Sequence, residues 1–145
     1  MPDITGFGHV DLSVTDLDRS EAWYTKVLGA KRIVAQRVDD PGYEVRVFVE
    51  PKSMALFALF GHDHNAQQPS TFDFNRSGLD HLAFGVADAD SLDAWGKHLT
   101  ALGVQHNGIE SDPFANAIVA KDPDGIPIEF YHFVATDQLA AMIDG

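Results

Sequence analysis

The sequence predicts an α+β fold built from two copies of one βαβββ module, on three observations. The first is an internal repeat at an offset of 72 residues, which sets His9 over His81, Val14 over Val86, Asp16 over Asp88 and Asp18 over Asp90, and Ala22-Trp23 over Ala94-Trp95. Six identities fall in the fifteen positions from His9 to Trp23, and both tryptophans of the chain are among them. A repeat of this length is one supersecondary unit used twice. The second observation is strict alternation in His9–Val14, with Val10, Leu12 and Val14 on one face and His9, Asp11 and Ser13 on the other. The third is that turn residues cut the rest of each copy into three short strand-like runs.

In order, each copy opens with this alternating strand. Asp16 or Asp18 then offers a carboxylate to the free N–H groups of a following helix, as Asp88 or Asp90 does in the second copy. Leu92, Trp95, Leu99 and Leu102 recur at helical spacing, and Gly29 and Gly103 stand where the helices should stop. The first copy continues with strands at about Arg32–Val38, Tyr43–Val49 and Met54–Phe60, divided by Asp40-Pro41-Gly42 and Pro51-Lys52-Ser53. The second continues with Val104–Ile109, Phe114–Lys121 and Ile126–Phe133, divided by Asp112-Pro113 and Asp122-Pro123-Asp124-Gly125. The chain therefore reads as one domain over 1–145, with module one at about 4–60 and module two at about 79–133. Residues 61–78 lack any period and read as a linker, and Thr136-Asp137 can cap a terminal helix over about 136–143.

Composition narrows the chemistry. Ten Lys and Arg against 22 Asp and Glu give a net charge of −12, a field that repels nucleic acid and anionic lipid. No apolar run approaches the roughly 18–20 residues that span a bilayer, and Met1-Pro2-Asp3 does not open a secretory signal. A cytoplasmic location is the expectation. With no cysteine, thiolate metal sites and thiol nucleophiles are excluded, so any metal site must use the seven His and the carboxylates. A lone strand His is usually structural; two at the same repeat position are better candidates. Glu129 alternates away from Ile128 and Phe130, and a carboxylate on an apolar inner face needs a partner. Tyr131 shares its face, Asp11 shares that of His9, and His132 lies opposite. Alternation alone does not say whether Arg46 or Glu44 points inward. His62-Asp63-His64 reads as solvated, and Trp23 and Trp95 as anchors for the core.

Paired βαβββ modules, a His at the head of each and a closing Asp122-Pro123-Asp124-Gly125-x-x-x-Glu129 resemble the vicinal oxygen chelate superfamily. That group includes glyoxalase I, extradiol dioxygenases, fosfomycin-resistance enzymes and bleomycin-resistance proteins. The resemblance covers Ile4 to Phe133 and implies that the modules pair into a cup-like incomplete barrel, commonly in a homodimer. It also implies metal ligands at His9, His81 and Glu129. The offset maps Glu129 onto Phe57, so the fourth ligand place holds no carboxylate and Phe57 becomes a pocket residue. Two imidazoles and one carboxylate suit Fe(II), Mn, Ni or Zn, acting as Lewis acid or O₂ site on a small substrate with vicinal oxygens. The general base would be Asp11, Tyr131 or a bound hydroxide. Departures limit the reaction. Val119 stands where ring-cleaving enzymes carry Tyr, Asp11 where fosfomycin enzymes carry Thr, and no Arg or Lys follows Lys121. The competing reading is a metal-free protein that sequesters a small molecule or drug among Phe57, Phe60, Phe72 and Phe74.

Overall fold

The computed structural model describes residues 2–67, 71–136 and 141–143. Its contacts divide the chain into two compact units, residues 1–71 and 72–145. The first unit runs β1 (Val10–Val14), α1 (Leu17–Leu28), β2 (Lys31–Val38), β3 (Tyr43–Val49), β4 (Leu56–His62) and α2 (Asp63–Gln67). The second runs β5 (Leu82–Gly85), α3 (Ala89–Ala101), β6 (Glu110–Ser111), β7 (Ala115–Lys121) and β8 (Pro127–Phe133). Each unit holds one open four-stranded mixed sheet, in the order β1-β4-β3-β2 and β5-β8-β7-β6. The outer pair β1–β4, like β5–β8, is parallel and the others are antiparallel. The α+β class and the two βαβββ modules are therefore those the repeat predicts. No helix among the described residues is long and apolar enough to cross a membrane.

The caps explain where the helices begin and end. Asp16 accepts from the Arg19 N–H at 3.0 Å, and Asp88 from the Ser91 N–H at 2.7 Å, satisfying donors the helix leaves free. The hydrogen bonds from Ser91 hold the Asp88 carboxyl below the usual carboxylate range. Gly29 takes a left-handed φ of 66°, which ends α1 at the position its sequence indicates.

Period-two alternation sorts each sheet into a helix-packed face and an opposite face. In the first unit Leu12, Val14, Phe48, Phe57 and Leu59 are buried, as are Tyr24, Val27 and Leu28 of α1. Phe57 stacks on Phe48 at 5.3 Å between ring centroids and lies 5.2 Å from the Tyr24 ring. In the second unit Ile118, Ile128 and Phe130 are fully buried with Leu92 and Leu99 of α3. Trp95 stacks on Phe130 at 4.0 Å. The anchors differ between the copies: in α1 the fully buried ring is Tyr24, with half-buried Trp23 edge-on to it at 4.9 Å.

Arg46 proves to belong to the helix-packed face. It reaches Asp18 at 2.7 Å and Glu21 at 2.6 Å on α1, and Glu44 at 2.7 Å on its own strand. Partial burial opposes its charge, but these hydrogen bonds outweigh burial and raise its pKa. Glu44, even-numbered like Arg46, shares this face, so neither enters the opposite one.

Two expected boundaries need correction. The strand expected over Val104–Ile109 reduces to a bridge between His106 and Ala120, followed by the two-residue β6. Gly103 and Gly108, at φ 71° and 81°, break the extended backbone, and Asn107 instead accepts from the Val119 N–H at 2.8 Å. The linker expected from residue 61 starts later, because Gly61 and His62 still pair with Glu44 and Tyr43 and α2 follows at once. Arg37 grips Asp63, the first residue of α2, through two hydrogen bonds of 2.7 and 2.6 Å, which hold the Asp63 carboxyl below its ordinary range. For the terminal helix, residues 137–140 lie outside the described residues, while 136 and 141–143 are helical.

The turn between β7 and β8 is fastened by Asp122, which is 5% exposed and accepts from the N–H groups of Asp124 at 2.9 Å and Ile126 at 2.8 Å. Its backbone N–H also donates to the Ile126 carbonyl at 3.0 Å. This fixes the register that carries Glu129. Replacing Asp122 with Ala strands those donors in a buried turn and is expected to lower stability by about 2 kcal/mol. Urea unfolding of D122A beside the wild type is the measurement, and an unchanged midpoint would refute the role.

Candidate functional site

His9 and His81 do not lie within strands; each stands one residue before the first strand of its unit. The residues after them enter matching parallel ladders, which pair Asp11 with Ala58 and Ala83 with Glu129. Asp11 and Ala83 are equivalents in the repeat, so the counterpart of Glu129 is Ala58, one place beyond the Phe57 given by the bare offset. Burial agrees, since Phe57 and Leu59 match Ile128 and Phe130 as buried, helix-packed positions. The conclusion drawn from Phe57 carries over, because alanine also offers no ligand.

In the second unit the chain brings His81 to Glu129. The Nε2 atom of His81 stands 3.4 Å from Oε2 of Glu129, whose side chain is 16% exposed. The other ring nitrogen, Nδ1, is 2.7 Å from Oδ1 of Asp80. With the Nδ1 proton donated to that carboxylate, Nε2 is left as an acceptor. Two acceptors then face each other across 3.4 Å, a spacing that a cation between them would bridge. Tyr131 lies two residues beyond Glu129 on the same side of β8, half-buried, with its ring stacked on Phe133 at 6.2 Å. His132 turns to the helix-packed side, near enough to the α3 cap to help lower the Asp88 pKa.

In the first unit His9 meets Asp11, with Nε2 and Oδ1 3.6 Å apart, too far for a hydrogen bond. Both border a cavity of about 270 Å³ whose remaining lining is Val45, Val47, Leu56, Phe57, Ala58 and Phe60. Phe57 takes part only at the margin, since its ring is 1% exposed and engaged with Phe48 and Tyr24. Phe60 continues into an aromatic group with Tyr43 at 5.5 Å and His62 at 5.9 Å. His62 thus belongs to this wall, Asp63 to the pair with Arg37, and His64 is exposed. Phe72 and Phe74 belong to the second unit.

Sequence reasoning missed two things. Asp80 pairs with Gly8 in the repeat, so the repeat gave no signal for it; only its adjacency to His81 could have drawn notice. The cavity wall of β3 required knowing that Arg46 is committed to α1. Within each unit, among the described residues, no three His, Asp or Glu side chains gather at metal-ligating spacing.

Residues 6–130 match the family described as Glyoxalase/Bleomycin resistance protein/Dioxygenase superfamily. The chain belongs to that superfamily. Among solved structures it is similar to a glyoxylase/bleomycin resistance protein/dioxygenase domain from Frankia sp. EAN1pec, with 31% identity, 92% of this chain and 96% of that one covered, and a TM-score of 0.81. It also resembles the fosfomycin resistance protein FosX from Listeria monocytogenes, crystallised with Mn(II) and sulfate, at 20% identity, 94% and 99% coverage and a TM-score of 0.64. A lactoylglutathione lyase from Agrobacterium tumefaciens matches at 22% identity, 90% and 96% coverage and a TM-score of 0.68. The last two likenesses concern the fold alone.

Proposed function

We propose that the chain is a divalent-metal-dependent enzyme acting on a small substrate with vicinal oxygens. The observation that carries this reading is the His81–Glu129 pair, two acceptors 3.4 Å apart with the far side of the imidazole tied to Asp80. Two ligand atoms at about 2.0–2.2 Å from one ion stand roughly 3.0–3.4 Å apart, so the pair fits a shared ion. His81 and Glu129 are the proposed ligands, and His9 is the third that the family resemblance implies. The ion, of the Fe(II), Mn, Ni or Zn type, would supply Lewis acidity or an O₂ site to a coordinated substrate oxygen.

The chain's own residues supply the rest. Asp80 fixes the imidazole tautomer, so Nε2 points toward Glu129 without needing to turn. Asp11, half-exposed beside an apolar wall, is a carboxylate able to accept a substrate proton. The Tyr131 hydroxyl is the second candidate for that role, on the Glu129 side of β8. The valines, Leu56 and Phe60 exclude water from the apolar part of the substrate. The same reading includes a homodimer in the cytoplasm.

A second reading follows from the cavity itself, which needs no metal to hold a small apolar molecule and would suit a sequestering protein of the bleomycin-resistance type. Metal analysis of chain purified without chelator, beside His81→Ala, separates the two. The enzyme reading expects about one ion per wild-type chain and a large loss in H81A. A metal-free wild type favours the sequestering reading, and full metal content in the variant would defeat the proposed metal site at His81.

A further inference from the structure

We propose that Asp11 sets the specificity of the first unit's cavity, selecting compact apolar molecules that carry a hydroxyl or ammonium group and rejecting organic anions. The inference concerns the substrate class of the site described above and takes its catalytic meaning from that reading. Binding itself depends only on the lining.

Six of the eight lining residues are apolar, and the two polar ones, His9 and Asp11, both lie on the β1 side. The body of a ligand therefore meets Val45, Val47, Leu56, Ala58 and Phe60, and its polar group can be read only at that one margin. Asp11 has no hydrogen bond to His9, because 3.6 Å separates them, so its carboxylate oxygens remain available to an incoming donor. A ligand that covers Asp11 removes its water, and an unpaired carboxylate against an apolar wall is costly. Only a ligand that brings an O–H or N–H in return avoids that cost.

An anion would find no guanidinium or ammonium to neutralise it, and the one imidazole of the lining, His9, stands 3.6 Å from the Asp11 carboxylate that the anion would also meet. No Lys or Arg lines the cavity. The arginines of the neighbouring elements are bound elsewhere: Arg46 to Asp18, Glu21 and Glu44, Arg32 to Glu21, and Arg37 to Asp39 and Asp63. The net charge of −12 adds a repulsive field. Phe60 and the Tyr43 and His62 rings beside it favour a planar body.

The test uses three probes of one shape, benzylamine, benzyl alcohol and benzoate, titrated into the full chain in the presence of EDTA. Amide NMR shifts on β3 and β4 report the cavity directly. Benzylamine and benzyl alcohol are expected to move the Val45, Val47 and Ala58 signals and to bind at least roughly tenfold more tightly than benzoate. Asp11→Asn should erase most of the gap between benzylamine and benzoate, and added salt should narrow it in the wild type. Val47→Phe, which fills the cavity, should abolish binding of all three, and Val45→Phe provides the same test if that variant does not fold. Benzoate binding as tightly as benzylamine, an unchanged ranking in D11N, shifts confined to other surfaces, or no binding by any probe would each overturn the proposal. Because EDTA is present, failure of the metal reading leaves this ranking untouched, and failure of the ranking leaves the metal content untouched.

Discussion

Replacing Phe130 with Ala is expected to destabilise the chain by about 3–5 kcal/mol, the range for deleting a buried aromatic ring. Phe130 is fully buried, Trp95 of α3 stacks on it at 4.0 Å, and Phe84 of the neighbouring strand lies 6.4 Å away. Two aromatic rings therefore lose their partner at once, and the void falls between helix and sheet, where backbone hydrogen bonds prevent collapse. A domain of this size holds roughly 5–15 kcal/mol in all, so most of its margin disappears. Urea unfolding followed by Trp fluorescence would read the change directly, since Trp95 forms one side of the contact. A loss below about 1 kcal/mol would mean that the ring is not packed as described. Phe130 also neighbours Glu129, so any metal loss in this variant should be judged only at temperatures where it remains folded.

The repeat made most of the fold legible. Asp16 and Asp88 cap their helices, Gly29 ends α1, and Tyr43–Val49 has the boundaries alternation predicts. What failed did so for local reasons. Val104–Ile109 carries apolar side chains only at its two ends, and the left-handed Gly103 and Gly108 do not allow a continuous ladder. The step from Glu129 to Phe57 failed by one residue, since an offset counted along the chain carries no information about ladder register. A slip of one residue reverses a side chain's face, which is why Ala58, and not Phe57, stands opposite Asp11. In the site, the proximity of His81 to Glu129 follows from the adjacent parallel strands β5 and β8, and the sequence offered it only through the family resemblance. The side of β3 that faces the cavity was not, because it depends on the ion pairs of Arg46 with α1, which leave Val45 and Val47 to the other face.

Asp80 offers the most sensitive probe of whether the His81–Glu129 pair holds a metal. Its carboxylate takes the Nδ1 proton of His81 at 2.7 Å, an arrangement that orients a ligating imidazole and increases its basicity. Removing such a partner typically weakens metal binding by about 10–100-fold. The Asp80 side chain is 71% exposed, so water can replace part of what it does, which places the expected loss toward the lower end for Asp80→Ala. Asp80→Asn separates the two contributions: the amide oxygen still accepts the Nδ1 proton, so orientation survives while the charge is lost. D80N should therefore bind metal with an affinity between the wild type and D80A. Competition against a chromogenic chelator measures this without any assay of activity, with His81→Ala as the floor. Wild-type affinity in both Asp80 variants, together with metal loss in H81A, would leave Asp80 as a surface partner with no part in the site. With metal removed by EDTA, fold stability should not change among these variants, because the pair lies outside the helix-packed core, and equal melting temperatures under that condition would tie any affinity change to the imidazole itself.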